Sequence, residues 1–192
     1  MSAPSPFDST HPLQAPEEHS VDTEHVASSS GAAPKRTVVI AVDPSEHAAN
    51  AVEWARHNFL RPTDRVVLVH VRPYQQIYMG DLAADLLSAV SSLEASARQS
   101  SHDLIRSYAR TIMSAPGPND DAVVPLAIEG FAIRGDARQD IVRKAQELKA
   151  AGVVMGSRGL GAVKRALLGS VSDYVVNHAG CPVVVVRPEN TA

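Results

Sequence analysis

Aromatic residues are scarce: Phe, Trp and Tyr make up 4% of 192 residues. The chain carries one cysteine, Cys181, so no internal disulfide can form, and a reducing, cytoplasmic setting is expected. No apolar run reaches the roughly 18 residues of a membrane span, and no secretory h-region is visible. The formal net charge of −3 supplies no basic footprint for nucleic acid or for an anionic membrane. Residues 1–34 lack Lys and Arg altogether, while holding Asp8, Glu17, Glu18, Asp22 and Glu24. A transit peptide would be Arg-rich and acid-poor. Such a segment buries too little apolar surface to offset its ordering entropy, so a disordered acidic tail is expected there. Its histidines, His11, His19 and His25, have no metal-ligand spacing.

What is abundant is alanine and valine, suited to helices and to fully buried strands. From Lys35 the pattern alternates between the two. Thr37–Val42 and Arg65–Val71 are continuous β-branched runs, and Val123–Ile128, Gly152–Met155 and Pro182–Val186 are shorter ones. Between them, Ala48, Val52, Ala55 and Phe59 recur at helical spacing, as do Leu82, Leu86, Ala89, Leu93 and Ala97, continuing to Leu104, Tyr108 and Ile112. Gly135-Asp136 opens a third helix, and Ser170 or Ser172 caps a fourth. The fold expected is α/β: a doubly wound five-stranded parallel sheet with helices on both faces, over residues 35–188. Pro125 inside the third strand points to a sheet edge, giving the order 3-2-1-4-5 with right-handed crossovers. The order reverses between the first and fourth strands, so a ligand is expected at Val42-Asp43 and Met155-Gly156.

The segment after the fourth strand carries the chemistry: MGSRGLGAVKRALLGSVS, Met155–Ser172. Glycines at 156, 159, 161 and 169 let peptide N–H groups approach a ligand with no Cβ in the way, and successive N–H groups form concave anion sites. Gly169-Ser170 precedes a helix whose N-terminus offers further donors. Arg158, Lys164 and Arg165 add positive charge, although solvated surface positions are the common fate of such residues. A P-loop is ruled out because Ala162 stands where its Lys belongs, and a dinucleotide fingerprint because Lys164 stands where its last glycine belongs. His70 reads as a satisfied core histidine and Cys181 as a packed thiol.

The pattern G-x2-G-x9-G-S at Gly156, Gly159, Gly169 and Ser170, preceded by VVMG and followed by SVSDYVVNHAGCPVVVV, resembles the universal stress protein family in its ATP-binding subclass. The resemblance spans roughly Lys35 to Arg187. It implies ATP, with Mg, as the ligand. It implies that Asp43 lies near the ribose and the metal-bearing phosphates, that Ala41 and Val71 line the adenine pocket, and that Met155 lies under the base. Gly156, Gly159, Gly169, Ser170 and Val171 match its phosphate-binding positions, with Ser172 and Arg158 close by. It further implies a homodimer through Pro182–Val186. Ala151-Gly152 depart from the family, which often has an Asp just before the fourth strand.

The function expected is a nucleotide-dependent stress or signalling regulator. The alternatives are a slow ATP hydrolase or phosphotransferase, and a nucleotide-independent structural dimer. Phosphoryl transfer needs an in-line nucleophile and concentrated charge; no dedicated base is apparent, no catalytic residue is assigned, and protein side chains alone supply no metal site. A receiver domain is disfavoured because a single acid, Asp43, follows the first strand and Glu129-Gly130 follows the third.

Overall fold

The computed structural model describes residues 17–21, 33–74, 84–114, 116, 121–125, 127–159 and 168–188. Its elements run β1 (Glu17–Val21), β2 (Arg36–Ala41), α1 (Glu46–Asn58), β3 (Asp64–Arg72), α2 (Ala84–Met113), β4 (Ala127–Arg134), α3 (Ala137–Glu147), β5 (Gly152–Gly156), α4 (Ser170–His178) and β6 (Val183–Val186). They form one sheet in the order β1-β4-β3-β2-β5-β6. β2 to β6 are mutually parallel and have the expected doubly wound order.

Because side chains alternate along a strand, the sheet carries two separate cores. Val38 and Ile40 face the side of α1 and α2, with Val52, Ile105 and Ile112. Val39 and Ala41 face the side of α3 and α4, with Ile141, Ala145 and Val175. The first strands are clamped at their amino ends by a buried charge. Asp64 is wholly buried, accepts two hydrogen bonds from the Arg36 guanidinium at 2.7 and 2.8 Å, and accepts a third from Arg61 N at 2.8 Å. Its carboxylate raises the Arg36 pKa above the ordinary value.

Four expectations need correction. The tail is not wholly without structure. Glu17–Val21 pairs antiparallel with β4, and Val21 is buried against the α1/α2 core. Among the described residues the sheet therefore has six strands instead of five, the added one antiparallel; residues 1–16 and 22–32 lie outside the described residues. The third strand of the parallel set begins at Ala127, past Pro125. Proline was thus the wrong reason for its lateral position, since it precedes the strand instead of interrupting it, and the strand's outer side is covered by β1. Helix α2 is not apolar along its length. Leu93 is 63% exposed, whereas Ile105, Tyr108, Ala109 and Ile112 are buried. At 30 residues it is about 45 Å long, against roughly 30 Å for the nine-residue β3, so its whole length cannot lie on the sheet. Leu82 and the side chain of Leu86 lie outside the described residues. Finally, the N-cap of α4 is Gly169, without a side-chain cap, in place of either serine.

The other helix starts follow the sequence reading. Ser45 caps α1 by accepting from Ala48 N at 3.2 Å, and Asp136 caps α3 by accepting from Arg138 N at 2.8 Å. Cys181 is partly buried against the α3/α4 core, and burial pushes its thiol pKa up.

Candidate functional site

β2 and β5 are neighbours, with Ala41 in register with Met155. The chain leaves β2 toward α1 and leaves β5 toward α4, and these two departures open a cleft. A cavity of about 440 Å³ lies there, within the range of small-molecule sites. Ala41, Asp43, Val71, Met155, Gly156, Arg158, Gly159, Gly169, Ser170, Val171 and Ser172 all line it. The structure therefore brings together around one cavity all eleven of these candidate ligand-binding residues. Gly161, Lys164 and Arg165 lie outside the described residues.

Val42, expected beside Asp43 at the end of its strand, also lines the cavity, while sequence reasoning missed Ala48, Val69, Ala137, Ile141 and Leu168, which complete the wall among the described residues. Several of these carried a signal. Val69 is one strand period before Val71, and Ala137 and Ile141 are one helical turn apart at the start of α3, so both pairs share a face. The result is an apolar pocket on the α3/α4 side of the sheet, closed at one end by backbone and hydroxyl groups.

The glycines differ in why they must be glycine. A Cβ on Gly156 would stand 2.7 Å from the backbone of His47, so this position is small in order to let α1 pack on β5. A Cβ on Gly159 would stand 2.5 Å from Asp43 Oδ2. Gly169 has φ −76°, which any residue can adopt, and among the described residues its Cβ would meet nothing closer than 3.4 Å. Neither packing against the described residues nor backbone conformation demands glycine at 169.

Asp43 sits where the two loops meet. Its Oδ1 accepts from Ser45 N at 3.2 Å and from the Ser45 hydroxyl, while Oδ2 faces Gly159. The backbone beneath it is held from three sides. Val42 N donates to Val69 O at 2.9 Å. His70 Nδ1 lies 2.9 Å from Val42 O, a carbonyl that can only accept, so Nδ1 carries the proton. Tyr108 donates its hydroxyl to Asp43 O at 3.0 Å. Burial lowers the His70 pKa below its ordinary value, the Val42 carbonyl and Asp43 opposing this, and burial raises that of Tyr108, with Asp43 adding to it. His70 thus fits the expected satisfied histidine, while Tyr108, read as a core residue, also positions the loop.

Opposite Asp43, α4 presents its first turn to the cavity. Gly169 N donates to Ser157 O at 2.8 Å, and Asp173 N donates to Gly169 O at 2.9 Å. The N–H groups of Ser170, Val171 and Ser172 precede Asp173 N, the first donor to bond within the helix. Ser170 is exposed at the helix start. Ser172 is 2% exposed, and its hydroxyl lies 3.0 Å from Ser157 O and 2.9 Å from Gly169 O. It braces the loop against the helix, which is why it does not cap.

Among the described residues no group of three or more His, Cys, Asp or Glu side chains could hold a metal, and no helix is long and apolar enough to cross a membrane. A divalent ion here would need further ligands beyond Asp43, and Mg²⁺ is commonly held by one or two carboxylates plus substrate phosphates. The donor set thus fits a metal that arrives with a phosphorylated ligand.

Comparison with known proteins agrees with this geometry. The family model described as Universal stress protein family matches residues 35–187. Universal stress protein PHOS34 of Arabidopsis thaliana is 36% identical over 162 residues, covering 80% of this chain and 62% of that protein. The chain thus spans about three fifths of that relative's length. A universal stress protein of Thermus aquaticus is 31% identical over 153 residues, covering 79% of this chain and 98% of that one. Among solved structures, that of hypothetical protein MJ0577 superposes with TM-score 0.66 at 20% identity, covering 82% and 99% of the two chains. An Arabidopsis thaliana universal stress protein solved with AMP bound gives TM-score 0.51 at 20% identity, covering 82% and 96%. These two likenesses concern the fold. On the match across residues 35–187, carried by the strand–loop–helix frame that surrounds the cavity, this chain belongs to the universal stress protein family.

Proposed function

We propose that the chain binds an adenine nucleotide, ATP with Mg, in the cavity between β2 and β5, and acts as a nucleotide-dependent stress or signalling regulator. The observation that carries this reading is Gly169. It lines the cavity at the start of α4, and neither its φ nor packing against the described residues requires the Cβ to be missing. A phosphate approaching the first N–H groups of α4 supplies the reason, since a Cβ would stand in its way.

The remaining wall divides by chemistry. Ala41, Val71 and Met155 offer an apolar slot for the base. Gly156, Gly159, Ser170 and Val171 surround the phosphates with backbone donors, and Arg158 adds charge. Ser172 acts from behind, by fixing Gly169 and Ser157. Asp43 faces the same loop and would hold the metal that accompanies the phosphates, supplying charge neutralisation there. The AMP held by the Arabidopsis relative supports the adenine assignment. A homodimer through β6 fits its position as an outer strand of the sheet, and the cytoplasm fits the single thiol. Nucleotide then acts by binding two association states unequally.

The test is calorimetric titration with ATP, ADP and AMP, with and without Mg, on the wild type and on Asp43→Asn, with released phosphate followed in the same samples. The expected result is ATP binding strengthened by Mg, with that increment lost in Asp43→Asn and no steady phosphate release. Equal affinity for AMP and ATP would remove the polyphosphate cradle. Steady turnover would replace the regulator by a hydrolase.

A further inference from the structure

The acidic strand β1 has no part in the cavity, and its contacts are of a different kind. It lies antiparallel on β4, Glu17 opposite Arg134 and Val21 opposite Gly130. Its side chains alternate between the two faces. On one face Glu18 reaches the Lys144 ammonium and comes within 3.4 Å of Arg143. On the other, Glu17 lies 3.4 Å from Arg134, the His19 ring lies 6.5 Å from that of His102, and Val21 is 3% exposed in the α1/α2 core.

The receiving surface is built for such a guest. β4 is eight residues long and largely apolar, without proline or lysine to blunt it as a free edge. β6, at the opposite side, is four residues and follows Pro182. Lys144 is 5% exposed, its ammonium 3.9 Å from the Phe131 ring centroid. Glu147 lies 3.5 Å from that ammonium and also engages Arg143, so among the described residues Lys144 shares its in-house carboxylate with a second cation until Glu18 joins them. Asp140 and Glu94 contact Arg143 and Arg134 respectively.

The connection does not force β1 into place. Residues 22–35 join it to β2, and at up to about 3.6 Å per extended residue they reach roughly 50 Å. The three strand spacings between β1 and β2 amount to about 14 Å. β1 runs toward the end of the sheet where β2 begins and stops level with Ile40, four positions from Arg36, which adds about 13 Å along the strands and keeps the span well within that reach. The strand is held by its own contacts, aided by the millimolar effective concentration of a short tether.

We propose that the β4 edge is a strand-docking surface for an extended acidic protein segment, with two successive acids followed three positions later by a β-branched apolar residue. Residues 17–21 occupy it in cis, and a partner carrying such a segment binds by displacing them. Main-chain pairing supplies affinity, while Arg134, Arg143, Lys144 and the Val21 position supply selectivity. This inference is independent of the nucleotide.

The test uses the full chain. A labelled peptide of residues 14–25 is titrated into the wild type and into Glu18→Lys, whose own strand places a cation against Lys144. Glu18→Lys is expected to lose amide protection over Gly130–Arg134, to take the wild-type peptide at least tenfold more tightly than the wild-type chain does, and to regain protection on binding it. A peptide carrying Glu18→Lys is expected to bind neither chain. Equal peptide affinity on both chains, or an edge that stays protected in Glu18→Lys, would overturn the proposal. So would a doubling of mass in place of peptide uptake, which would make a second copy the occupant. Should Glu18→Lys fail to fold, the wild-type chain with a protease site at residues 26–30 is cut after folding. Exchange of its strand for labelled peptide supports the surface, and failure to exchange contradicts it.

Discussion

Gly159 and Asp43 lie so close that a Cβ on the glycine would stand 2.5 Å from the aspartate's Oδ2. The two residues come from different strand–helix connections, so this contact joins the halves of the cavity. The atom in the way is the tip of a side chain, which can rotate. Gly159→Ala is therefore expected to leave the fold nearly as stable, within about 1 kcal/mol, while turning the carboxylate out of place. Calorimetry should show loss of the Mg-dependent increment in nucleotide affinity, with thermal unfolding little changed.

Gly156→Ala should behave in the opposite way. Its Cβ would meet the His47 backbone at 2.7 Å, and backbone cannot step aside. Overpacking of this kind costs about 1–3 kcal/mol. For a chain of this size that is a fall in Tm of roughly 2–12 °C, read by differential scanning calorimetry without any ligand.

Removing the Tyr108 hydroxyl tests how the loop beneath Asp43 is held. Tyr108→Phe deletes the hydrogen bond to Asp43 O and leaves that carbonyl to find another donor. The expected loss is about 1 kcal/mol of stability, accompanied by weaker nucleotide binding. Unchanged binding would show that the loop keeps its shape without this support.

Asp64→Ala should be the most damaging of the substitutions considered. It leaves the Arg36 guanidinium, held at 2.7 and 2.8 Å, without its carboxylate and Arg61 N without an acceptor. Breaking a buried pair from one side costs about 3–5 kcal/mol. Denaturant unfolding should show a lower midpoint with an unchanged slope.

Stability should fall on mild acidification. Burial holds the His70 pKa below its ordinary value, so in the window between the folded and unfolded pKa the unfolded chain binds the extra proton. Stability contributed by neutral His70 is thus complete above the unfolded pKa, near 6.5, and is lost as pH drops from there toward the lowered folded value. His102 shifts the same way, through burial first and then the nearby Arg106, His19 and Arg98, with Asp103 opposing. His70→Asn, which retains a donor for Val42 O, should flatten part of the decline in Tm between pH 7 and pH 5. A profile as steep as the wild type's would assign the effect to His102 or other groups.

The sheet and the cavity were legible because they rest on local patterns. Thr37–Val42 and Arg65–Val71 announce buried strands, and Gly156, Gly159 and Gly169 mark loops at a place that the topology independently designates. What escaped was set by tertiary partners. Glu17–Val21 has too little apolar content to read as a strand, and becomes one because Lys144, Arg143 and Arg134 await it on β4. Pro125 drew attention to an edge but lies before the strand. Ser172 has the composition of a cap and serves as a brace, because Ser157 O and Gly169 O lie within reach of its hydroxyl. Leu93 keeps the helical period of its neighbours yet is exposed, since periodicity does not reveal where a helix outruns the sheet.

The central claim is that Gly169 is glycine for the sake of a bound phosphate. Calorimetric titration of Mg-ATP into Gly169→Ala, beside the wild type, tests it directly. Among the described residues its Cβ meets nothing closer than 3.4 Å, so the variant should fold with a loss of about 1 kcal/mol or less, the ordinary difference between glycine and alanine at an N-cap. The account predicts affinity at least tenfold below the wild type's in that folded protein. Undiminished ATP affinity in Gly169→Ala, or no binding by a folded and nucleotide-free wild type, would contradict it.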